Sequence, residues 1–193
     1  MLDQRSDELA RSLLRRLAVP QRERLVAAMA EVEQLLIATS VQILAVDPEH
    51  PDALACLARY VAELNQRSTR DFDPAVGATA LPHQVRPPIG QFFVAYLQDE
   101  PIGCGAVKHH PDRPAELKRM WIAPHLRGLG LGRRLLEALE ACARSAGADR
   151  ARIETSGVLT EALALYRCTG WIEVPAFNDE PFADHWFEKD LQQ

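Results

Sequence analysis

The stretch Glu116-Leu-Lys-Arg-Met-Trp-Ile-Ala-Pro-His-Leu-Arg-Gly-Leu-Gly-Leu-Gly-Arg-Arg-Leu-Leu136 constrains this chain more than any other. It reads as an apolar strand, a turn with Gly128, Gly130 and Gly132 at alternate positions, and a Leu- and Ala-rich helix lasting to about Gly147. Glycines let a backbone approach a ligand closely. The unpaired N–H groups and the positive dipole end of the following helix favour a phosphate or pyrophosphate there.

Spacing narrows the choice among folds that use this device. A nucleoside-triphosphate loop needs Lys-Ser or Lys-Thr after its glycines, and Arg133-Arg134 stands there instead. A dinucleotide fingerprint opens the first βαβ unit and places an acidic residue about twenty residues later. This loop lies past mid-chain, and its glycines do not reproduce G-x-G-x-x-G.

Arg127, Gly130 and Gly132 closely resemble the acetyl-CoA loop of the GNAT N-acetyltransferases, in which Arg or Gln is followed after two residues by Gly, and after one more by Gly or Ala. A second signature follows in the right order: Ala164-Leu-Tyr166-Arg-Cys-Thr-Gly170-Trp171 is similar to the family's Leu-Tyr-x-x-x-Gly-Phe. The resemblance covers roughly 39–191. It implies an α/β GNAT fold, with a mixed sheet of six to seven strands splayed near the fourth and fifth, flanked by helices and preceded by two N-terminal helices. The domains are accordingly expected at 1–38 and 39–193.

The same resemblance implies transfer of an acetyl group from acetyl-CoA to an amine. Met120, Trp121 and Ile122 fall where the family has a strand bulge that meets the thioester and pantetheine. The backbone from Gly128 through Leu129, Gly130, Leu131 and Gly132 to Arg133 is assigned to pyrophosphate, with Arg127, Arg133 or Arg134 adding charge. Tyr166 is the implied general acid: a phenol titrates near pH 10 and a thiol near 8.5, so Tyr is protonated when the thiolate leaves. Glu116, at the start of the fourth strand, and Glu154, on the fifth, are the alternative bases. The chain departs from the pattern at Leu159, seven residues before the tyrosine, where many relatives carry Asn; Thr160, Ser156 or a water is expected to supply the missing hydrogen bond.

Composition sets limits. With 47% hydrophobic and 25% charged residues over 193 positions, the chain is expected to form an ordinary globular protein. A net charge of −5 provides no field to attract nucleic acid or an anionic membrane. Cys56, Cys104, Cys142 and Cys168 form no C-x-x-C pair, and the sequence presents no metal-ligand spacing, so reduced thiols and no metal are expected. Charges at Asp3, Arg5, Asp7 and Glu8 interrupt any secretory signal, which makes the cytoplasm the expected location.

Along the chain, Leu9, Leu13, Leu14 and Leu17 mark one helix, and Leu25, Met29, Val32 and Leu36 mark a second after Pro20. This segment resembles the C-terminal dimerisation helices of MarR-type regulators, which implies a homodimer. Its six basic and six acidic residues over 1–46 leave no basic stripe, so DNA binding is not expected. A strand at Val41–Val46, a helix over 51–67, a long Pro- and Gly-rich connection at 68–90 and a hairpin over 91–109 follow. Arg70, Asp71, Asp73, His83 and Arg86 in that connection are candidates to shape an acceptor pocket. The acidic loop with Asn178, Asp179 and Glu180 lies between the last two strands and suits a cationic amine. Two functions fit: an N-acetyltransferase acting on a small or amino-acid-like amine, or an acetyl-CoA-sensing dimerisation module with little catalysis.

Overall fold

The computed structural model describes residues 17–68 and 80–192. The helix expected from Asp7 lies outside them, as do Arg70, Asp71 and Asp73. The chain divides into two compact units, Met1–Ser40 and Val41–Gln193. In the first, α1 (Val19–Thr39) begins one residue before Pro20, which the first turn accepts because its N–H groups have no helical partner. Leu25, Met29, Val32 and Leu36, the expected stripe, are all exposed on it.

The second unit is a seven-stranded sheet in the order β1-β2-β3-β4-β5-β7-β6. Its strands are β1 (Gln42–Val46), β2 (Gly90–Leu97), β3 (Glu100–Lys108), β4 (Ala115–Ile122), β5 (Arg150–Thr155), β6 (Ile172–Val174) and β7 (His185–Asp190). Helices α2 (Pro51–Arg67), α3 (Leu131–Ser145) and α4 (Thr160–Cys168) flank it. Helix α2 starts at a cap in which His50 Nδ1 accepts the Asp52 N–H at 3.2 Å, with Pro51 in the first turn. Helix α3 buries Leu135, Leu136, Leu139 and Ala143 at helical spacing, and the last three pack in one core with Val107, Leu117, Ile153 and Phe187 of the sheet. Burying each such leucine contributes roughly 1.5–3 kcal/mol, so this face fixes α3, and with it the loop before it, against the sheet.

One pairing decides where a ligand can enter. Strands β4 and β5 are parallel neighbours that pair only at Ala115↔Ala151 and Glu116↔Arg152. Beyond those rungs β4 stays with β3 and β5 with β7, so a cleft opens between Lys118–Ile122 on one side and Glu154–Thr155 on the other. On the β3 side the packing is tight: a Cβ on Gly103 would lie 2.8 Å from the Trp121 carbonyl oxygen and 2.5 Å from Ile122 Cδ1. Glycine there lets β3 close on the end of β4. Arg86, an expected acceptor-pocket residue, is instead pinned to the turn after β1 by Asp47 at 2.6 Å and Glu49 at 2.7 Å.

Candidate active site

Strand β4 breaks its ladder where the cleft begins. Ala106 pairs with Lys118 and Cys104 with Trp121, so Arg119 and Met120 together face Gly105. Two residues opposite one make a bulge, which takes backbone groups out of the ladder. Arg119 adopts φ 57, a left-handed conformation that costs a non-glycine residue about 1–3 kcal/mol. The buried Cys104 thiol donates to its carbonyl at 3.4 Å. The bulge is therefore centred on Arg119 and Met120, one residue earlier than the Met120–Ile122 window expected from sequence.

The glycine loop follows directly. Gly128 and Gly130 have φ 81 and 77, and a Cβ added to either would meet nothing within 4 Å. The loop surface is open at both, and Gly130 leads straight into α3. Gly128, Gly130, Gly132, Arg127 and Arg133 line a cavity of about 280 Å³ together with Met120, Trp121 and Ile122. Leu129, Leu131 and Arg134 are not part of that lining. Leu131 is a core side chain, and the Arg134 guanidinium donates to the Val41 carbonyl at 2.7 Å.

The three arginines assigned to the anion thus differ. Arg127 is committed to protein partners: Nη2 reaches Glu63 Oε2 at 2.7 Å, Nη1 reaches Glu161 at 3.4 Å and Nε donates to the Ile122 carbonyl at 3.0 Å. Arg133 makes no ion pair among the described residues, and its one hydrogen bond runs to Cys168 Sγ at 3.6 Å.

A second cavity of about 190 Å³ lies on the other side of the bulge, lined by Lys118, Arg119, Glu154, Glu180 and Asp184 among others. Tyr60, Met120, Leu159, Ala162 and Tyr166 line both cavities and so mark their junction. Tyr166 rises from α4 against Trp171 and Phe187, with ring centroids at 6.0 and 5.5 Å. Its hydroxyl makes a long contact to Met120 Sδ at 4.0 Å. Burial, then the nearby Tyr60 and Glu154, push the phenol far above its ordinary pKa, so it is held protonated. Tyr60 is pushed up to about 12, chiefly by burial.

The two carboxylates proposed as bases have different surroundings. Glu116 stands outside both cavity linings, caged by His110 at 3.2 Å, Lys108 and Lys118 at 3.6 Å, and Arg113 at 3.9 Å. Burial raises its carboxyl, but those cations outweigh burial and hold it below the ordinary range. Glu154 lines the second cavity, pairs with Lys118 through Oε1, and buries Oε2 without a hydrogen-bond partner among the described residues. Ser156 and Thr160, the expected stand-ins for the missing Asn, bond Asp184 at 3.1 Å and Glu161 at 3.3 Å. Leu159 itself faces both cavities.

Tyr60 and Arg119 line the cavities, Glu63 holds Trp121 and Arg127 from behind them, and sequence reasoning placed none of the three there. Tyr60 sits in a row with Leu54, Leu57, Val61 and Leu64 that reads as an apolar helix stripe, and no spacing marks its hydroxyl. Arg119 reads as an ordinary strand residue until the bulge re-aims it. Among the described residues no group of His, Cys, Asp and Glu could hold a metal ion, and no helix is long and apolar enough to cross a membrane.

Comparison with known proteins bears on this geometry. Residues 88–173 match the family model described as an acetyltransferase (GNAT) domain. The IAA acetyltransferase of Azospirillum brasilense is 38% identical over 89 residues, covering 46% of this chain and 58% of that protein. The chain spans about half the length of the curated relatives it matches, 58% and 50%. A GNAT-family acetyltransferase from Staphylococcus aureus Mu50 shares the fold with TM-score 0.67 at 15% identity, over 79% of this chain and 99% of that one. So does one from Elizabethkingia anophelis solved with acetyl-CoA bound, with TM-score 0.55 at 16% identity over 78% and 98%. The family match lies clear of 1–38, and these relatives lend the MarR resemblance of that segment no support.

Proposed function

We propose that this chain, which carries a GNAT acetyltransferase domain over 88–173, transfers an acetyl group from acetyl-CoA directly to the amine of a small-molecule acceptor. The observation that carries the proposal is the meeting of two cavities at Met120 and Tyr166, one floored by an open glycine loop and the other lined by carboxylates. The open space over Gly128 and Gly130 fits a pyrophosphate, with Arg133 supplying charge and the backbone around Arg119 and Met120 facing the acyl group.

Acetyl-CoA, when bound, supplies an acyl thioester. Each protein group then has a task. Glu154 takes the proton of the acceptor ammonium, directly or through a water, because it lines the acceptor cavity and its Oε2 has no hydrogen-bond partner among the described residues. The bulge backbone stabilises negative charge developing on the thioester oxygen. Once the C–N bond has formed, Tyr166 gives its phenolic proton to the departing sulfur as the C–S bond breaks, and the second proton of the acylated nitrogen, shed as the amide forms, restores the phenol. Glu116 serves in this reading as the anion that balances Lys108, Lys118 and Arg113.

Glu180 and Asp184 on the acceptor side favour a cationic amine. The test is thiol release from acetyl-CoA across a panel of amino acids, polyamines and other small amines, with Tyr166→Phe in parallel. Acceptor-dependent release that falls in the variant supports the reading; silence across the panel with acetyl-CoA still bound favours the cofactor-sensing alternative. We further propose that α1 mediates a homodimer, since Leu25, Met29, Val32 and Leu36 are exposed on it. Sedimentation of Met29→Glu against the parent chain tests this, and an unchanged oligomeric state removes the dimer.

A further inference from the structure

We infer that Glu63 is a positioning residue for coenzyme A binding, closing a ring of charges that fixes both walls of the cofactor cavity. The inference rests on the acetyl-CoA reading above. Glu63 lies on α2 and is 9% exposed. Its Oε2 accepts the Trp121 indole N–H at 2.8 Å and the Arg127 guanidinium at 2.7 Å, while Oε1 pairs with Arg67 at 2.8 Å. Arg67 in turn holds Glu161 through two bonds of 2.8 and 3.0 Å, and Glu161 closes the ring on Arg127 at 3.4 Å.

The ring joins elements that nothing in the local sequence connects. Trp121 is the last but one residue of β4, beside the bulge, Arg127 opens the glycine loop, and Glu161 lies in the first turn of α4, five residues before Tyr166. Glu63 and Arg67 belong to α2 and tie the three together. The ring's other anchor is the Ile122 carbonyl, which receives Arg127 Nε. Because Trp121, Arg127 and Glu161 all line the cofactor cavity, a shift in any link moves the strand, the loop or the Tyr166 helix relative to the others. Two carboxylates against two guanidiniums also leave the ring near neutral, so its contribution to an anionic ligand is geometry rather than attraction.

Burial raises the Glu63 carboxyl, but the bonds from Arg127 and Trp121 and the charges of Arg127 and Arg67 outweigh it, so Glu63 is ionised. That gives the test a definite sign. Glu63→Gln keeps the shape and removes one negative charge. If Arg127 attracted the pyrophosphate directly, the more positive site would bind coenzyme A more tightly. If Glu63 positions the loop, the same variant binds more weakly.

The experiment is calorimetric titration of coenzyme A into the parent chain, Glu63→Gln, Arg127→Gln and the double variant. All are measured well below their melting temperatures. The expected result is a Kd raised about tenfold in Glu63→Gln, the scale of one charge-assisted hydrogen bond. The double variant should lose no more than the worse single one, because Glu63 acts through Arg127. Additive losses, an unchanged Kd or a lowered Kd overturn the inference while leaving the acetyl-CoA reading intact. A parent chain that does not bind coenzyme A overturns both. If Glu63→Gln fails to fold, Glu161→Gln, on the exposed side of the ring, enters the same cycle with Arg127 and carries the same expectations.

Discussion

Replacing Gly130 with alanine separates the loop's part in folding from its part in binding. Gly130 has φ 77 and ψ 0 and precedes the first turn of α3. An added Cβ meets no atom within 4 Å, so no clash contributes to the cost. What remains is the left-handed backbone, which costs an L-residue about 1–2 kcal/mol. For a chain of this size that lowers the melting temperature by roughly 2–8 °C, taking about 2–4 °C per kcal/mol. The methyl group instead stands in the open space over the loop, where the proposed pyrophosphate lies against backbone N–H groups. Coenzyme A affinity should therefore fall by far more than stability does. Gly132→Ala lacks that backbone cost: the residue is already helical, its Cβ would be 3.4 Å from Leu165 Cδ2, and alanine favours a helix by up to about 1 kcal/mol over glycine. Calorimetry and thermal melts of the two variants decide the matter. A Gly130→Ala chain with reduced stability and undiminished coenzyme A affinity would refute the loop assignment. A stability loss beyond about 4 kcal/mol would refute the purely conformational account.

Tyr166→Phe should leave the melting temperature nearly unchanged, since the hydroxyl gives up only a 4.0 Å contact to Met120 Sδ, while turnover falls by about tenfold or more. Because the Tyr166 phenol is raised, the parent rate should not decline between about pH 8 and 10 through its ionisation; a descending limb there, absent in Tyr166→Phe, would show the phenol titrating in that range and overturn the raised value. Glu154→Gln should depress turnover more than Glu116→Gln does, and the reverse order in steady-state assays would return the base to Glu116. Acid stability has a worked sign: Glu63, Glu116 and Glu161 have folded pKa values below their unfolded ones, Glu161 at about 2. Their contribution is complete above the unfolded value of about 4.3 and is lost as pH falls through the folded values. Melts from pH 7 to 2 should be flat at first and then drop, less steeply in Glu116→Gln. Glu140→Gln should destabilise by about 1–3 kcal/mol, because the buried carboxylate receives Trp171 at 3.0 Å, Lys189 at 2.9 Å and Arg144 at 3.1 Å while both cations keep access to water, and equilibrium unfolding measures the loss.

Much of the fold was legible from local pattern. The glycine spacing, the apolar runs of the hairpin strands β2 and β3 and the 3.6-residue period of α3 each depend on residues close in sequence, and the elements formed where these patterns lie. The seven-stranded mixed sheet agrees with the resemblance that two short motifs carried. The bulge was expected on the right strand but one residue late. Its position depends on how β4 pairs with β3, and the glycines that permit that pairing are more than ten residues away.

The chain's own sequence determined the strand-loop-helix unit, the left-handed glycines at 128 and 130, and a tyrosine on the helix that follows β5, because each is set by conformational freedom or periodicity within a few residues. Only the tertiary structure decided which charges are available. Arg127, Arg133 and Arg134 look alike in one dimension, yet one closes a ring with Glu63 and Glu161, one bonds the Val41 carbonyl, and one makes no ion pair among the described residues. Glu116 and Glu154 likewise differ through partners from other strands. A charged side chain takes its role from the groups that share its desolvated surroundings, and α2 brings Glu63 to Arg127 across 64 residues of chain.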